Sequence, residues 1–125
     1  MVVGIGLDLV ETARVERVLA TYGARFEERV YTPVEIRACA GRADRIQALA
    51  ARFAAKEACL KALGTGWSAG LSLRQVEIVS EPGGRPSIRL LANAESRARA
   101  LGVRSIHVSL THQPGTAAAL VVLER

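Results

Sequence analysis

ARFAAKEACLKALGTG, residues 51–66, reads as the end of a helix that runs into a glycine turn. Ala51, Ala54, Ala55, Ala58, Leu60, Ala62 and Leu63 are good helix formers, and Gly64 stands where a helix C-terminus favours a left-handed residue. At about 100° per residue, Ile46, Ala50, Phe53, Ala54, Leu60 and Lys61 all fall within about 60° of Glu57. Glu57 therefore interrupts an apolar stripe, and the expectation is that it faces the core or a cleft. A carboxylate in such a place must be paired, protonated or bound to a metal. A break in the pattern of a strong element points to function.

Working outward toward the N-terminus, residues 2–10 (VVGIGLDLV) read as a strand. Val3, Ile5, Leu7 and Leu9 share one face; Gly4, Gly6 and Asp8 share the other. Two glycines on one face let a second backbone or helix come close. Asp8 falls at the strand's far end, where loops and ligands meet; the plainer alternative is that it starts the next helix. Residues 11–22 have the spacing of an amphipathic helix, with Val15, Val18, Leu19 and Tyr22 inward and Arg14 and Arg17 on another face. A short segment over 24–30 adds Arg25 and Arg29. Thr32, Pro33 and Glu35 form a helix start for 33–40, and Asp44 is the expected N-cap of the long helix that ends near Leu63.

Beyond the turn, 71–79 and 87–91 read as two strands joined by EPGGRP, residues 81–86. Asn93 is the expected cap of a helix over 94–101. Residues 104–111 alternate as a strand, the turn 112–115 follows, and 116–124 pairs back. The order β, several α, ββ, α, ββ indicates an α+β domain with antiparallel strands, one long helix and several short ones. The length of 125 residues suits one domain, 1–125.

With 50% hydrophobic and 23% charged residues the composition is that of a folded protein rather than a disordered one. No apolar run is long enough for a membrane span, and the N-terminus lacks the pattern of a signal peptide, so a cytoplasmic protein with no membrane partner is expected. Cys39 and Cys59 show no metal-binding spacing and read as buried thiols of a reducing compartment. A net charge of +5 points to an anionic partner. Nucleic acid is one such partner, but aromatic residues make up only 4% of the chain, too few for a stacking platform. Arginine outnumbers lysine fifteen to two, and both lysines, Lys56 and Lys61, lie within residues 51–66.

Asp8 and Glu57 form the candidate carboxylate pair. Two inward carboxylates without a counter-charge raise one another's pKa, and a hard divalent cation such as Mg²⁺ resolves this. The alternative for Glu57 is an i, i+4 ion pair with Lys61, worth ~0.3–0.5 kcal/mol on an exposed helix. Arg52, Lys56 and Lys61 read as a basic cluster around Glu57, suited to a pyrophosphate, or else as a solvated helix face. His107 reads as a strand side chain near the core edge. His112, beside a turn, is open to a phosphate contact or to work as a general base. Nothing in the spacing singles out a nucleophile.

GIGLDLVE near the N-terminus, RFAAKEACLKALGTG in the middle and HVSLTH toward the C-terminus, in this order and over nearly the full length, resemble the holo-acyl-carrier-protein synthases, the short phosphopantetheinyl transferases. The resemblance implies the phosphopantetheinyl transferase fold and transfer of 4′-phosphopantetheine from coenzyme A to a serine of apo acyl carrier protein, leaving adenosine 3′,5′-bisphosphate. By motif position it implies Asp8 and Glu57 as Mg²⁺ ligands and, with Lys61, as the catalytic set. It places Lys61 on the phosphates, Arg52, Lys56 and the Gly64–Thr65–Gly66 turn around coenzyme A, and His112 near the 3′-phosphate. Arg14, Arg17 and Arg25 would meet the acidic carrier protein. It further implies a homotrimer with each coenzyme A site between subunits, and a role in fatty-acid or polyketide synthesis. A nucleophile supplied by the carrier accounts for its absence here; a water on the metal, or Glu57 acting through one, would take the serine proton. Cys59 and Leu60 depart from the aromatic and small polar residues frequent in the family.

Overall fold

The structure, a computed structural model, describes residues 1–64 and 70–125. Its elements are β1 (Val2–Glu11), α1 (Thr12–Tyr22), α2 (Ala24–Val30), α3 (Pro33–Cys39), α4 (Arg45–Leu63), a 3₁₀ turn (Leu73–Gln75), β2 (Val76–Ser80), β3 (Pro86–Leu90), α5 (Ala92–Ala100), β4 (Ser105–Gln113) and β5 (Thr116–Glu124). The strands are antiparallel throughout: β1-β5-β4 form one sheet, with β5 in the centre, and β2-β3 form a separate hairpin. The architecture is the α+β arrangement expected.

Helix α4 occupies the middle of the molecule. Its alanines at 48, 50, 51, 54, 55, 58 and 62 are buried, as are Leu49, Leu60 and Leu63. Small side chains let the helix lie close to the sheet, where Ala117 and Ala119 of β5 are also buried. The approach is tightest at β1. A Cβ on Gly6 would stand 1.7 Å from the Ala58 carbonyl oxygen, and one on Gly4 would stand 2.1 Å from that of Ala62. The two glycines thus do what their shared face implied: they let helix backbone reach strand backbone. At its C-terminus α4 ends on Gly64 in the left-handed conformation, φ 81°.

The other face of the sheet is open. Ile5, Leu7 and Leu9 are 62%, 63% and 71% exposed, and Leu120 of β5 joins them at 40%. The apolar alternation of β1 therefore marks an uncovered surface, while its glycine face is the one that packs on the core.

Four details differ from the sequence reading. The stripe of α4 that carries Glu57 is the least buried one: Phe53 and Glu57 are half-buried and Lys61 is exposed, because the sheet and the shorter elements cover every other side of the helix. Asp44 gives no side-chain cap to α4; its carboxylate takes both Nε and Nη2 of Arg42 at 2.8 Å. α5 starts at Ala92 after Leu91, and Asn93 Nδ2 donates instead to the Gly70 carbonyl. The stretch 71–79 is only partly a strand, since the 3₁₀ turn precedes β2.

Gly6→Ala is expected to lower the unfolding free energy by about 2 kcal/mol or more, because the intruding methyl meets backbone rather than a movable side chain. Urea unfolding followed by circular dichroism reads this directly, and an unchanged midpoint contradicts the close contact.

Candidate active site

β1 delivers Asp8 to the α4 side of the sheet on the same face as Gly4 and Gly6. One helical turn separates Glu57 from Lys61 on α4, and both flank Ala58, the residue that meets Gly6. Lys61 Nζ donates to Asp8 Oδ1 at 3.1 Å and to the Leu7 carbonyl at 3.0 Å. The lysine thus turns to the strand, and no Glu57–Lys61 ion pair forms among the described residues. The Asp8 side chain is well covered while that of Lys61 stays half-exposed, so the ammonium forms an open edge over a recessed carboxylate.

Burial pushes the Glu57 carboxyl above its ordinary range, and the charge of Asp8 pushes it further; Lys61 and, more weakly, Arg14 pull it down. The charge of Asp8 therefore reaches Glu57, and with burial it outweighs the pull of Lys61 and Arg14 on that carboxyl. Among the described residues no three His, Cys, Asp or Glu side chains gather into a ready-made metal cage. Two mutually repelling carboxylates at an open edge fit a hard divalent cation that takes its remaining ligands from water or phosphate oxygen. Arg14, assigned by the resemblance to the carrier surface, thus also faces the charge of Glu57.

A second feature lies near the start of α4. A cavity of about 440 Å³ is lined by Arg42, Asp44 and Arg52, by His112, and by Ile78 and Ser80 of β2. Arg52 is buried, with Nη1 on the Ala48 carbonyl at 3.4 Å and Nε without a partner among the described residues. A buried guanidinium with an unmet donor is suited to an anion. His112 extends from β4 opposite Ala117, on the α4 side of the sheet. Neither Asp8 nor Glu57 lines this cavity. One chain therefore holds the expected site as two pieces, the carboxylates with Lys61 and the basic cavity with Arg52 and His112.

Lys56 belongs to neither piece, which corrects its place in a basic cluster around Glu57. It is wholly buried, paired with Glu35 at 2.6 Å, and donates to the carbonyls of Leu73 at 3.2 Å and Val76 at 2.6 Å. Its Nζ also lies 5.5 Å from the centre of the Tyr31 ring. Burial pushes the ammonium down, while Glu35 holds it up. Glu35, foreseen only as a helix-capping residue, does close the capping box with Thr32, but it is buried and also takes the amide of Ile78. His107 is not at a core edge: it is exposed and contacts Glu124 at 2.5 Å. Gly64 ends α4, whereas Thr65 and Gly66 lie outside the described residues.

Arg14, Arg17 and Arg25 are all exposed. Arg25 and Arg29 border a groove of about 330 Å³ floored by Val18 and Phe26 and edged by Tyr22, which is 57% exposed rather than in the core. Phe26 stacks on Phe53 at 6.4 Å, so the floor of the groove touches the helix one turn before Glu57.

Residues 4–119 match the model of the 4′-phosphopantetheinyl transferase superfamily, and the chain belongs to that family. It is 44% identical to the holo-[acyl-carrier-protein] synthase of Maridesulfovibrio salexigens over 125 residues, all of both chains. It is 50% identical over 128 residues to the enzyme of that name from Methylobacterium sp. strain 4-46, covering 99% of this chain and 95% of that one. Among solved structures, the synthase of Neisseria meningitidis superposes with a TM-score of 0.90 at 33% identity over all of both chains. That of Helicobacter pylori in complex with coenzyme A gives 0.83 at 34%, covering 96% of this chain and 99% of that one.

The raised carboxyl of Glu57 has a consequence for stability. Its native-state pKa lies above the ordinary 4.5, so its contribution favours folding below pH 4.5 and is lost as the pH rises through the native value. In chelator-treated buffer near neutral pH, Glu57→Gln is expected to melt above the wild type, with the gap closing as the pH falls toward the ordinary glutamate value. Scanning fluorimetry across that range checks this; an equal or lower melting temperature at neutral pH contradicts it.

Proposed function

We propose that this chain, acting as a single domain over residues 1–125, moves the 4′-phosphopantetheine of coenzyme A onto a serine of apo acyl carrier protein. The product besides the holo carrier is adenosine 3′,5′-bisphosphate. The observation that carries this reading is the Lys61 ammonium on Asp8, whose charge reaches Glu57, in a chain of the phosphopantetheinyl transferase family.

Asp8 and Glu57 would hold Mg²⁺, which when bound supplies positive charge to the pyrophosphate as its P–O bond breaks. Lys61, half-exposed, presents its ammonium to the same phosphate oxygens. A water on the metal, or Glu57 acting through one with its carboxyl held above the usual range, would take the serine proton. The serine oxygen bonds to the phosphorus, the adenosine bisphosphate leaves, and the chain needs no nucleophile of its own. Arg52 and His112 are suited to the charged nucleotide end of coenzyme A in the cavity that they line. Arg14, Arg17 and Arg25 are suited to steering an acidic carrier, with the apolar groove beside Arg25 taking a hydrophobic side chain from it. The substrates and the two free, buried thiols fit a cytoplasmic enzyme of fatty-acid or polyketide synthesis.

The open sheet face is suited to a homotrimer. Ile5, Leu7 and Leu9 form an apolar row that is costly to leave in water. Assembly over this face would cover that row.

Incubation with coenzyme A, Mg²⁺ and apo carrier protein, followed by mass spectrometry of the carrier, tests the reaction. The wild type is expected to add one phosphopantetheine, and Glu57→Ala to lower kcat/KM by about 10²-fold or more. No transfer to any carrier, or an unimpaired Glu57→Ala, overturns the reading. Light scattering tests assembly: Leu7→Asp is expected to give monomers with the wild-type circular dichroism spectrum, and a trimer that survives it contradicts the proposed interface.

A further inference from the structure

The cavity that holds Arg52 and His112 has a wall built from a different part of the chain. Ile78 and Ser80 of β2, with Gly84 and Pro86 of the hairpin, line it together with the basic residues. This hairpin shares no strand pairing with the three-stranded sheet. A two-stranded hairpin is marginal by itself and needs anchors. Among the described residues, every hydrogen bond from β2 to the helical segments runs through three buried side chains. Lys56 takes the Val76 carbonyl at 2.6 Å, Glu35 takes the Ile78 amide at 2.9 Å, and Thr32 Oγ1 donates to Glu77 at 2.6 Å. Lys56 and Glu35 are themselves paired at 2.6 Å, with neither side chain exposed.

The layout has an orientation. Lys56 rises from α4 one turn after Arg52, and Glu35 bonds the backbone of Ile78, which itself lines the cavity. The buried pair therefore links the helix carrying the guanidinium to a strand that lines the same cavity. A hydrophobic pair of similar volume would fill the space as well, but it could not hold the carbonyl and amide of β2 in register.

We infer that Lys56 and Glu35 are positioning residues for coenzyme A: their buried ion pair sets the β2 wall of the cavity at the distance from Arg52 and His112 that the nucleotide end requires. This rests on the reading of that cavity given above. Neither residue touches the substrate. Loss of the pair acts on coenzyme A binding and leaves the carrier surface, formed by α1 and α2, in place.

The test is steady-state kinetics with both substrates varied, together with thermal unfolding, for the wild type, Lys56→Met, Glu35→Gln and the double variant Lys56→Met/Glu35→Leu. Lys56→Met and Glu35→Gln are expected to raise KM for coenzyme A about tenfold, the effect of losing one or two buried hydrogen bonds, with KM for the carrier within about twofold of wild type. The double variant removes both charges together but leaves the Val76 carbonyl and the Ile78 amide without their partners, so its melting temperature is expected above that of Lys56→Met, which strands the Glu35 charge, and below that of the wild type, while KM for coenzyme A stays raised. A double variant that regains both stability and the wild-type KM shows a pair that only supports folding, and overturns the inference. So does a wild-type KM in Glu35→Gln, the mildest change, which decides the matter if Lys56→Met does not fold. A wild-type protein that transfers nothing defeats the functional reading itself, whereas normal transfer with unmoved KM values defeats only this inference.

Discussion

The contact on which the structure depends is made by two backbones. Gly4 and Gly6 of β1 lie against the carbonyls of Ala62 and Ala58, at a spacing that excludes any side chain on the strand. Three consequences follow from it. The long helix is drawn into the centre of the molecule and needs small residues on most of its sides. Asp8, the next residue on the glycine face, emerges beside Glu57 and Lys61 as soon as the glycine contact ends. The apolar residues of β1 are turned away from the core onto an open face. Core packing, the carboxylate pair and the surface suited to assembly are thus consequences of the same register.

Electrostatics divides the two lysines of the chain between different tasks. Lys61 is half-exposed, bonded to Asp8, and free to exchange that partner for a phosphate. Lys56, five residues earlier, is sealed from solvent and matched by Glu35 and two backbone carbonyls. Five residues amount to about 140° around a helix, enough to separate an open edge from an interior. A compact ammonium with rotatable donors suits both places better than the planar guanidinium that the chain uses elsewhere. Arg52, by contrast, is left with an unmet donor beside a cavity. One helix therefore carries a lysine sealed in an ion pair, a lysine at an open edge and a buried arginine with an unmet donor.

Much of this was legible in the amino-acid order. The glycine face of β1 and the glycine end of α4 follow from steric rules that few residues satisfy, and the alternation of β4 places that strand, although it runs on through His112 and Gln113, which read as the start of the turn. Glu57 stood out because it interrupts an apolar stripe, and Asp8 because it falls at the far end of a strand. Other features resisted because they depend on what lies on the far side of an element. Helical periodicity located the stripe of Glu57 but assumed that apolar neighbours face inward; α4 is covered on nearly all sides, so its most open stripe also carries Phe53. Periodicity likewise could not separate the interior Lys56 from the exposed Lys61, and Glu35, its partner, lies 21 positions away. The capping role of Glu35 was visible as a local motif, while its burial was set by β2. Asp44 took a nearby arginine in preference to the helix end, a competition that spacing alone does not resolve.

The account makes one central claim, that Asp8 and Glu57 jointly hold a divalent cation together with the pyrophosphate of coenzyme A. Titration with Mn²⁺ in place of Mg²⁺, in the presence of coenzyme A, with free Mn²⁺ read by electron paramagnetic resonance, addresses it without relying on turnover. The account predicts a single tight site per chain that is lost in both Asp8→Asn and Glu57→Gln. A site of unchanged affinity in either variant would contradict it.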